Sequence, residues 1–363
     1  MKRLRMAVVG VGHLGKEHAR ILSGLAGVEL VGVVDANLEQ AQAIARKHNT
    51  HAFDQCWPLL GRVDAVSIVV PTGLHASVAE EFLKRGLPCL IEKPLAASLA
   101  QAAGLVDLAR ANETFIQVGH IERFNPAYEE IVRRPLQPKM IRSHRAGPFT
   151  GRSSDVGVVL DLMIHDLDLI LTLVQAPLRS VHATGISMFG RHEDICDARL
   201  SFENGCVAEV FASRASPTAV RTMQIWGPEG FADVDFAARR VTLMQPTDAV
   251  RRDGLDPQRL DPASRSRIRE ELFDRYLPTR TIDGQAQDQL TAELEDFVQA
   301  VRTKGVPRVT AEAGRDAIAV AERIIASCAQ HRWDGTSEAL AGPHRLPSAR
   351  GTLFTLEAER KAG

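Results

Sequence analysis

The sequence predicts an α/β protein: a doubly wound parallel sheet first, then an α/β domain around an open, mostly antiparallel sheet. Three observations lead there. Strands and helices alternate as far as about residue 121, a glycine-rich turn joins the first strand to the first helix, and past residue 122 strands follow one another directly. At 363 residues the chain also exceeds what one core holds, so two domains are expected.

The first strand is the apolar run Ala7-Val8-Val9, which enters Gly10-Val11-Gly12-His13-Leu14-Gly15; after a helix, Leu30-Val31-Gly32-Val33-Val34 ends in Asp35. This is a βαβ unit with an acid twenty residues past the last glycine, the spacing that sets a carboxylate beside the ribose of a dinucleotide. Gly10 allows the tight turn, Gly12 lets the backbone approach a pyrophosphate, and Gly15 lets helix pack on strand, while N–H groups around His13 and Leu14 at the helix start receive the anion. The reading is a Rossmann dinucleotide-binding domain. Asp35 would accept hydrogen bonds from a ribose 2′-OH and repel a 2′-phosphate, and Ala36-Asn37-Leu38 offers no arginine for that phosphate. NAD is therefore expected rather than NADP, with a plain solvated turn aspartate as the other reading of Asp35.

The alternation continues with helices at 38–48, 76–85 and 98–111, the last capped by Ser98, and strands at 64–70, 89–92 and 114–118. Ligands of such sheets sit at the carboxyl ends of the strands. Pro71, Thr72 and His75, then Glu92 and Lys93, are thereby expected to complete the cofactor site, and Gly119-His120-Ile121-Glu122-Arg123 also faces the cleft.

Beyond residue 122, strands are expected at 140–145, 180–188, 195–202, 206–213, 221–226 and 231–236, with turns at Glu203-Asn204-Gly205 and Gly227-Pro228-Glu229-Gly230. Residues 246–285, rich in Arg, Asp and Pro, read as a long solvated insertion suited to a substrate lid or subunit contact. Helices return at 288–302 and 311–331. The expected division is a dinucleotide domain at 1–121, a substrate-binding and oligomerisation domain at 122–332, and a weakly structured tail at 333–363.

Composition excludes several classes. A net charge of −1 with 25% charged residues gives no field for nucleic acid or an anionic membrane. No apolar run approaches the ~20 residues that span a bilayer. Met1-Lys2-Arg3-Leu4-Arg5 resembles the start of an export signal, but the following apolar run is broken by Gly10, Gly12 and His13 and reads as strand one. Five cysteines without CxxC spacing suit reduced thiols in a cytoplasmic protein, and no metal site is expected.

Chemistry is concentrated at 159–174, apolar nearly all round yet carrying Asp161, His165, Asp166 and Asp168. Such a helix is buried, and helical spacing puts Asp161, His165 and Asp168 on one face with Asp166 well round. Unpartnered, these groups would cost several kcal/mol, so they line a polar cavity or pair with one another. Lys93, held by Pro94 at the sheet's carboxyl edge, would orient a substrate hydroxyl and depress the pKa of a nearby base. An exposed strand-end lysine is the alternative.

The glycine fingerprint, Glu92-Lys93-Pro94, and Asp161 with His165 four residues on together resemble the Gfo/Idh/MocA oxidoreductase family over roughly residues 5–330. The resemblance implies a nicotinamide enzyme that oxidises a ring hydroxyl of a sugar or cyclitol. It implies Lys93 as the lysine that orients substrate and tunes acidity, Asp161 as the aspartate at the reacting hydroxyl, and His165 as general base. The Lys93–Pro94 peptide is often cis in that family, and assembly as a dimer or tetramer is implied. Met163 stands where many members have glycine. Asp161-Leu162-Met163-Ile164-His165-Asp166-Leu167-Asp168, with Gly119-His120-Ile121-Glu122-Arg123-Phe124-Asn125-Pro126-Ala127, is more similar to the nucleotide-sugar branch, the UDP-N-acetylglucosamine 3-dehydrogenases above all. His120, Arg123 and Asn125 would then join Lys93, Asp161 and His165 in binding substrate, Arg123 and Asn125 at the hexose or diphosphate. A helix-start salt bridge and cap is the other reading of Arg123 and Asn125. A myo-inositol or monosaccharide dehydrogenase, and a non-catalytic NAD-binding regulator, are the competing functions.

Overall fold

The computed structural model describes residues 3–151, 156–285, 288–333 and 341–345. In the N-terminal half, strands β1 (Leu4–Val9), β2 (Val28–Val34), β3 (Ala52–Phe53), β4 (Ala65–Ile68), β5 (Cys89–Glu92) and β6 (Ile116–Gly119) alternate with helices α1 (Gly15–Gly24), α2 (Leu38–His48), α3 (His75–Leu83) and α4 (Leu99–Ala111). The strands run parallel in the order β3-β2-β1-β4-β5-β6. Helices cover both faces, so β4, β5 and β6 are buried at every residue and read as continuous apolar runs. Local signals set the helix starts: Asn37 accepts from Gln40 N to cap α2, and Ser98 accepts from Gln101 N to cap α4. Chain direction across the sheet reverses between β1 and β4, which opens the crevice where a sheet of this kind takes its ligand.

The second half contains α5 (Pro126–Val132), β7 (Met140–Ala146), α6 (Ile164–Val174), β8 (Leu178–Ser187), β9 (Ile195–Phe202), β10 (Val207–Ser213), β11 (Val220–Gly227), β12 (Gly230–Asp235) and β13 (Arg240–Met244). After these come α7 (Asp248–Asp253), α8 (Pro262–Glu271), β14 (Thr279–Asp283), α9 (Gln289–Thr303), α10 (Ala311–Gln330) and β15 (His344–Arg345). Nine strands order as β14-β13-β12-β11-β7-β10-β9-β8-β15, antiparallel except where β7 meets β10 and β8 meets β15. Alternation along β7 turns Ile141, Ser143 and Arg145 inward and leaves Met140, Arg142 and His144 exposed. On the inner face Met163, Leu167 and Ile170 pack against Ala198, Val210 and Met223.

The two halves are tied by the helices at the C-terminal end. Leu290, Leu294, Phe297 and Val298 of α9 enter the core of the parallel sheet beside Val8, Leu22 and Val33. Helix α10 gives Ala317 and Ile318 to one core and Val320, Ala321 and Ile324 to the other.

Residues 246–285, expected as a long solvated insertion, carry regular elements of their own. They hold α7, α8 and β14, and β14 pairs with β13 to become the sheet's edge. Helix α8 buries no residue, so no apolar period marked it; it rests on Asp261, which caps Ala263 N and Ser264 N, and on Pro262 in the first turn. Strand β13, also unexpected, is five residues with only Val241 and Leu243 buried. Of the expected weak tail, Trp333 and 341–345 are described, and β15 adds to the sheet beside β8; the remainder of 333–363 lies outside the described residues. No described helix is long and apolar enough to cross a membrane.

Candidate active site

The glycine turn lies at the end of β1, at the switch point. Gly10 has φ +86°, and a Cβ there would lie 2.4 Å from Val69 O. At Gly15 an added Cβ would stand 1.9 Å from Gly10 O, so helix and turn touch backbone to backbone. Around Gly12 nothing lies within 4 Å of such a Cβ. Two glycines are thus demanded by the protein's own packing, and the third keeps open the space a pyrophosphate needs. Helix α1 has no side-chain cap; its Lys16 and Glu17 N–H groups donate to Gly12 O and Leu14 O, and His13 and Leu14 are exposed in the turn before it, where an anion would sit. Asp35 closes the turn: one oxygen accepts from Val11 N at 2.9 Å, the other from Asn37 N at 2.9 Å.

After β4, Pro71 is exposed and Thr72 half-buried at the crevice, while His75 is 1% exposed. The His75 nitrogens each lie 2.9 Å from a carbonyl, Nδ1 from Pro94 O and Nε2 from Val70 O, so this ring clamps the β4 turn to the Lys93-Pro94 turn. Burial lowers its pKa against the pull of those carbonyls. The Lys93–Pro94 peptide is cis. Glu92 faces inward behind Lys93, accepting from Lys93 N at 3.2 Å and lying 3.2 Å from His18 Nε2.

The first turn before α6, Val159–Met163, winds as a π-helix, which rotates Asp161 relative to an ideal α-helix. Its carbonyl and carboxylate both accept from Lys93 Nζ, at 2.6 and 3.2 Å. Two distant segments therefore meet at one ammonium. The other acids of the stretch each have a cation. Arg145 gives Asp166 a bidentate pair at 2.8 and 3.1 Å and reaches Glu122 at 2.8 Å; Arg123 gives Asp168 one at 2.5 and 2.8 Å. Burial opposes the Arg145 charge, but Asp166 and Glu122 outweigh it and its pKa is raised. The expected grouping of Asp161, His165 and Asp168 is corrected accordingly: Asp168 turns to Arg123, and Asp166 holds an arginine at the cavity floor.

His165 is left with Nδ1 buried and unpartnered. Burial first, then the positive charges of Lys93 and Arg145, hold its pKa well below the ordinary value, so the ring is neutral at pH 7. His120, 1% exposed with both nitrogens unpartnered, meets it edge to face at 6.4 Å between ring centroids. Burial lowers the His120 pKa too.

A cavity of about 410 Å³ opens over this cluster, lined by Asp161, His165, Arg145, Phe149, Arg214 and Arg221 among others. Arg123 and Asn125 are not brought to it. Arg123 lines a separate recess with Tyr128 and Arg308, and Asn125, 1% exposed, caps α5 at Ala127 N while donating to Glu122 and Phe236 O. Arg145, Arg214 and Arg221 had gone unread. Strand parity was the available signal, since Arg145 and Arg221 share inward positions with Ile141 and Ile225.

One oxidoreductase family matches most of the chain, its NAD-binding Rossmann fold at residues 4–120 and its C-terminal alpha/beta domain at 137–334. The UDP-N-acetylglucosamine 3-dehydrogenase of Acidithiobacillus ferrooxidans is 34% identical over 325 residues, covering 89% of this chain and 97% of that protein. A solved structure of that enzyme matches with a TM-score of 0.79 and 32% identity, over 90% of this chain and 98% of its own. The scyllo-inositol 2-dehydrogenase (NAD(+)) of Bacillus subtilis is 30% identical over 234 residues, 59% of this chain and 68% of the relative. Levoglucosan dehydrogenase in complex with NADH shares the fold, with a TM-score of 0.75 at 18% identity over 90% of this chain and 97% of its own. Both domains of the protein match the same family, and the chain belongs to the Gfo/Idh/MocA oxidoreductases.

Proposed function

We propose that this protein is an NAD-dependent dehydrogenase that oxidises a ring hydroxyl of a sugar to a ketone, its substrate the 3-hydroxyl of UDP-N-acetylglucosamine or a related UDP-sugar. The observation that carries the reaction is the unpaired, neutral His165 beside a Lys93–Asp161 pair at the floor of an open cavity. The substrate class is supported by the relative that matches at 34% identity over 97% of its length.

Gly10, Gly12, Gly15 and the start of α1 would hold the cofactor's pyrophosphate, and Asp35 its adenosine ribose. Asp35 favours NAD, because a 2′-phosphate there would meet a carboxylate. When bound, the nicotinamide accepts the hydride. The neutral His165 imidazole takes the proton from the sugar hydroxyl. Lys93 Nζ, steered by Asp161 O and Oδ1, stabilises the oxygen as negative charge develops on it. His120 packs edge to face against the His165 ring, its own two nitrogens buried.

The test is NADH formation across nucleotide sugars and cyclitols, with wild type and His165→Ala. UDP-N-acetylglucosamine should be oxidised, and His165→Ala should lower turnover by ~10²–10⁴-fold while NAD affinity stays nearly intact. Full activity in His165→Ala would remove the base from the scheme. A second reading, a cyclitol dehydrogenase, is favoured by the Bacillus subtilis relative, and oxidation of inositols but not of nucleotide sugars would establish it. NAD binding without turnover of any of these substrates would point instead to a cleft that only binds, and loss of turnover on replacing Lys93 would exclude that reading.

A further inference from the structure

The cavity over His165 is also lined by residues that the proposed chemistry does not use. Phe149 is one of them, and it stacks on Phe189 at 4.5 Å between ring centroids with planes 28° apart, the two 41% and 50% exposed. Exposed aromatic faces on a soluble protein are costly unless they meet something flat. The pair is held in place: the Arg214 guanidinium lies 5.8 Å from the centre of Phe149 and is itself fixed by Asp194 at 2.6 Å and Val156 O at 3.0 Å. Arg221 lines the same cavity. Its backbone pairs with Arg145, so both side chains leave the sheet on one face, but only Arg145 is neutralised. Among the described residues, no carboxylate lies within ion-pair distance of Arg221.

One cavity is therefore lined by the base His165, by the Asp161 that holds the Lys93 ammonium, by a guanidinium with no carboxylate partner among the described residues, and by the aromatic face of Phe149. We infer that Phe149 with Phe189 receives the nucleobase, and Arg221 the diphosphate, of a nucleoside-diphosphate sugar. The set of groups matches such a substrate, which carries a sugar, a diphosphate and a base: a guanidinium suits phosphate oxygens, and an aromatic face suits any base. This rests on the dehydrogenase reading above, and it assigns the nucleotide part to residues other than Arg123 and Asn125, which pack elsewhere.

The experiment uses the full-length protein loaded with NAD. Kinetics are measured with UDP-N-acetylglucosamine and with N-acetylglucosamine 1-phosphate, which lacks the uridine and one of the two phosphates, and UDP binding is measured by calorimetry. Wild type should bind UDP, and UDP should compete with the nucleotide sugar. Arg221→Gln and Phe149→Leu should each weaken UDP binding about tenfold, within what base stacking or a phosphate contact supplies, and shrink the preference for the nucleotide sugar over the sugar phosphate. Arg221 is exposed, so that variant carries the test even if Phe149→Leu does not fold. UDP affinity within about twofold of wild type in folded variants, with nucleotide-sugar oxidation intact, overturns the subsite and leaves the dehydrogenase standing. Oxidation confined to sugars without a nucleotide overturns both the subsite and the nucleotide-sugar substrate.

Discussion

Asp161, Asp166 and Asp168 each meet a cation from another element, Lys93, Arg145 and Arg123, whereas His165 meets none. Burying Asp166 and Asp168 is tolerable only with such pairing, since removing one partner of a buried pair costs about 3–5 kcal/mol. Pairing also decides which group is reactive. A carboxylate already locked in an ion pair has little to offer as a base, and the neutral imidazole keeps its basic lone pair. Lys93 acts on that base through charge as well as contact, because after burial it is the largest influence holding the His165 pKa down. Lys93→Met should therefore reduce kcat, and the acid limb of the remaining kcat/KM profile should move to higher pH as the imidazole becomes easier to protonate. A limb unmoved in that variant would show that the ammonium does not reach the base.

Two elements have a single position on which their role turns. In the glycine turn, Gly15→Ala would drive a Cβ to 1.9 Å from Gly10 O, a clash that far exceeds the ~1 kcal/mol alanine gains in a helix. Gly12→Ala meets no protein atom within 4 Å. The first variant should lose both thermal stability and NAD affinity, the second NAD affinity alone; melting curves and NAD titrations separate them. In α9, Glu293 is fully buried with both oxygens unpartnered, and burial, then Glu92, raise its pKa well above 4.5. A raised folded-state pKa gives stability that is fully present below the unfolded value and lost as pH rises toward the folded one. Glu293→Gln does not titrate, so its melting temperature should exceed that of wild type at pH 8, with the gap narrowing toward pH 5. An equal melting temperature at pH 8 would mean that Glu293 finds partners in solution.

At the scale of the whole molecule, the same linkage runs the other way for the histidines. His75, His120 and His165 all have pKa values lowered from 6.5, so the stability they contribute is present above that pH and is lost as pH falls from there toward their folded-state values. Glu293 opposes this on the acid side. The Glu293→Gln protein should thus show the steeper fall in melting temperature between pH 7 and pH 5, and parallel slopes for the two proteins would refute the assignment. Both halves take part, because His75 and His120 belong to the parallel sheet, His165 to the second domain, and α10 is built into the cores of both.

Wherever neighbours in sequence are also neighbours in space, the sequence alone determined the outcome. The glycine turn, the Ser98 and Asn37 caps, and the alternation of strands and helices are set by contacts within a few residues. Lys93, Asp161 and His165 were legible because each stands in a motif with its own local shape. Helix α8 and strand β14 were not, since neither carries the apolar rhythm that burial imprints. Only the tertiary structure decided which cation each aspartate takes, that Arg123 and Asn125 turn away from the cavity, and that Arg221 and Phe149 line it. Those outcomes depend on strands and helices far apart in the chain, and a charge in a sequence carries no record of the partner that packing will bring to it.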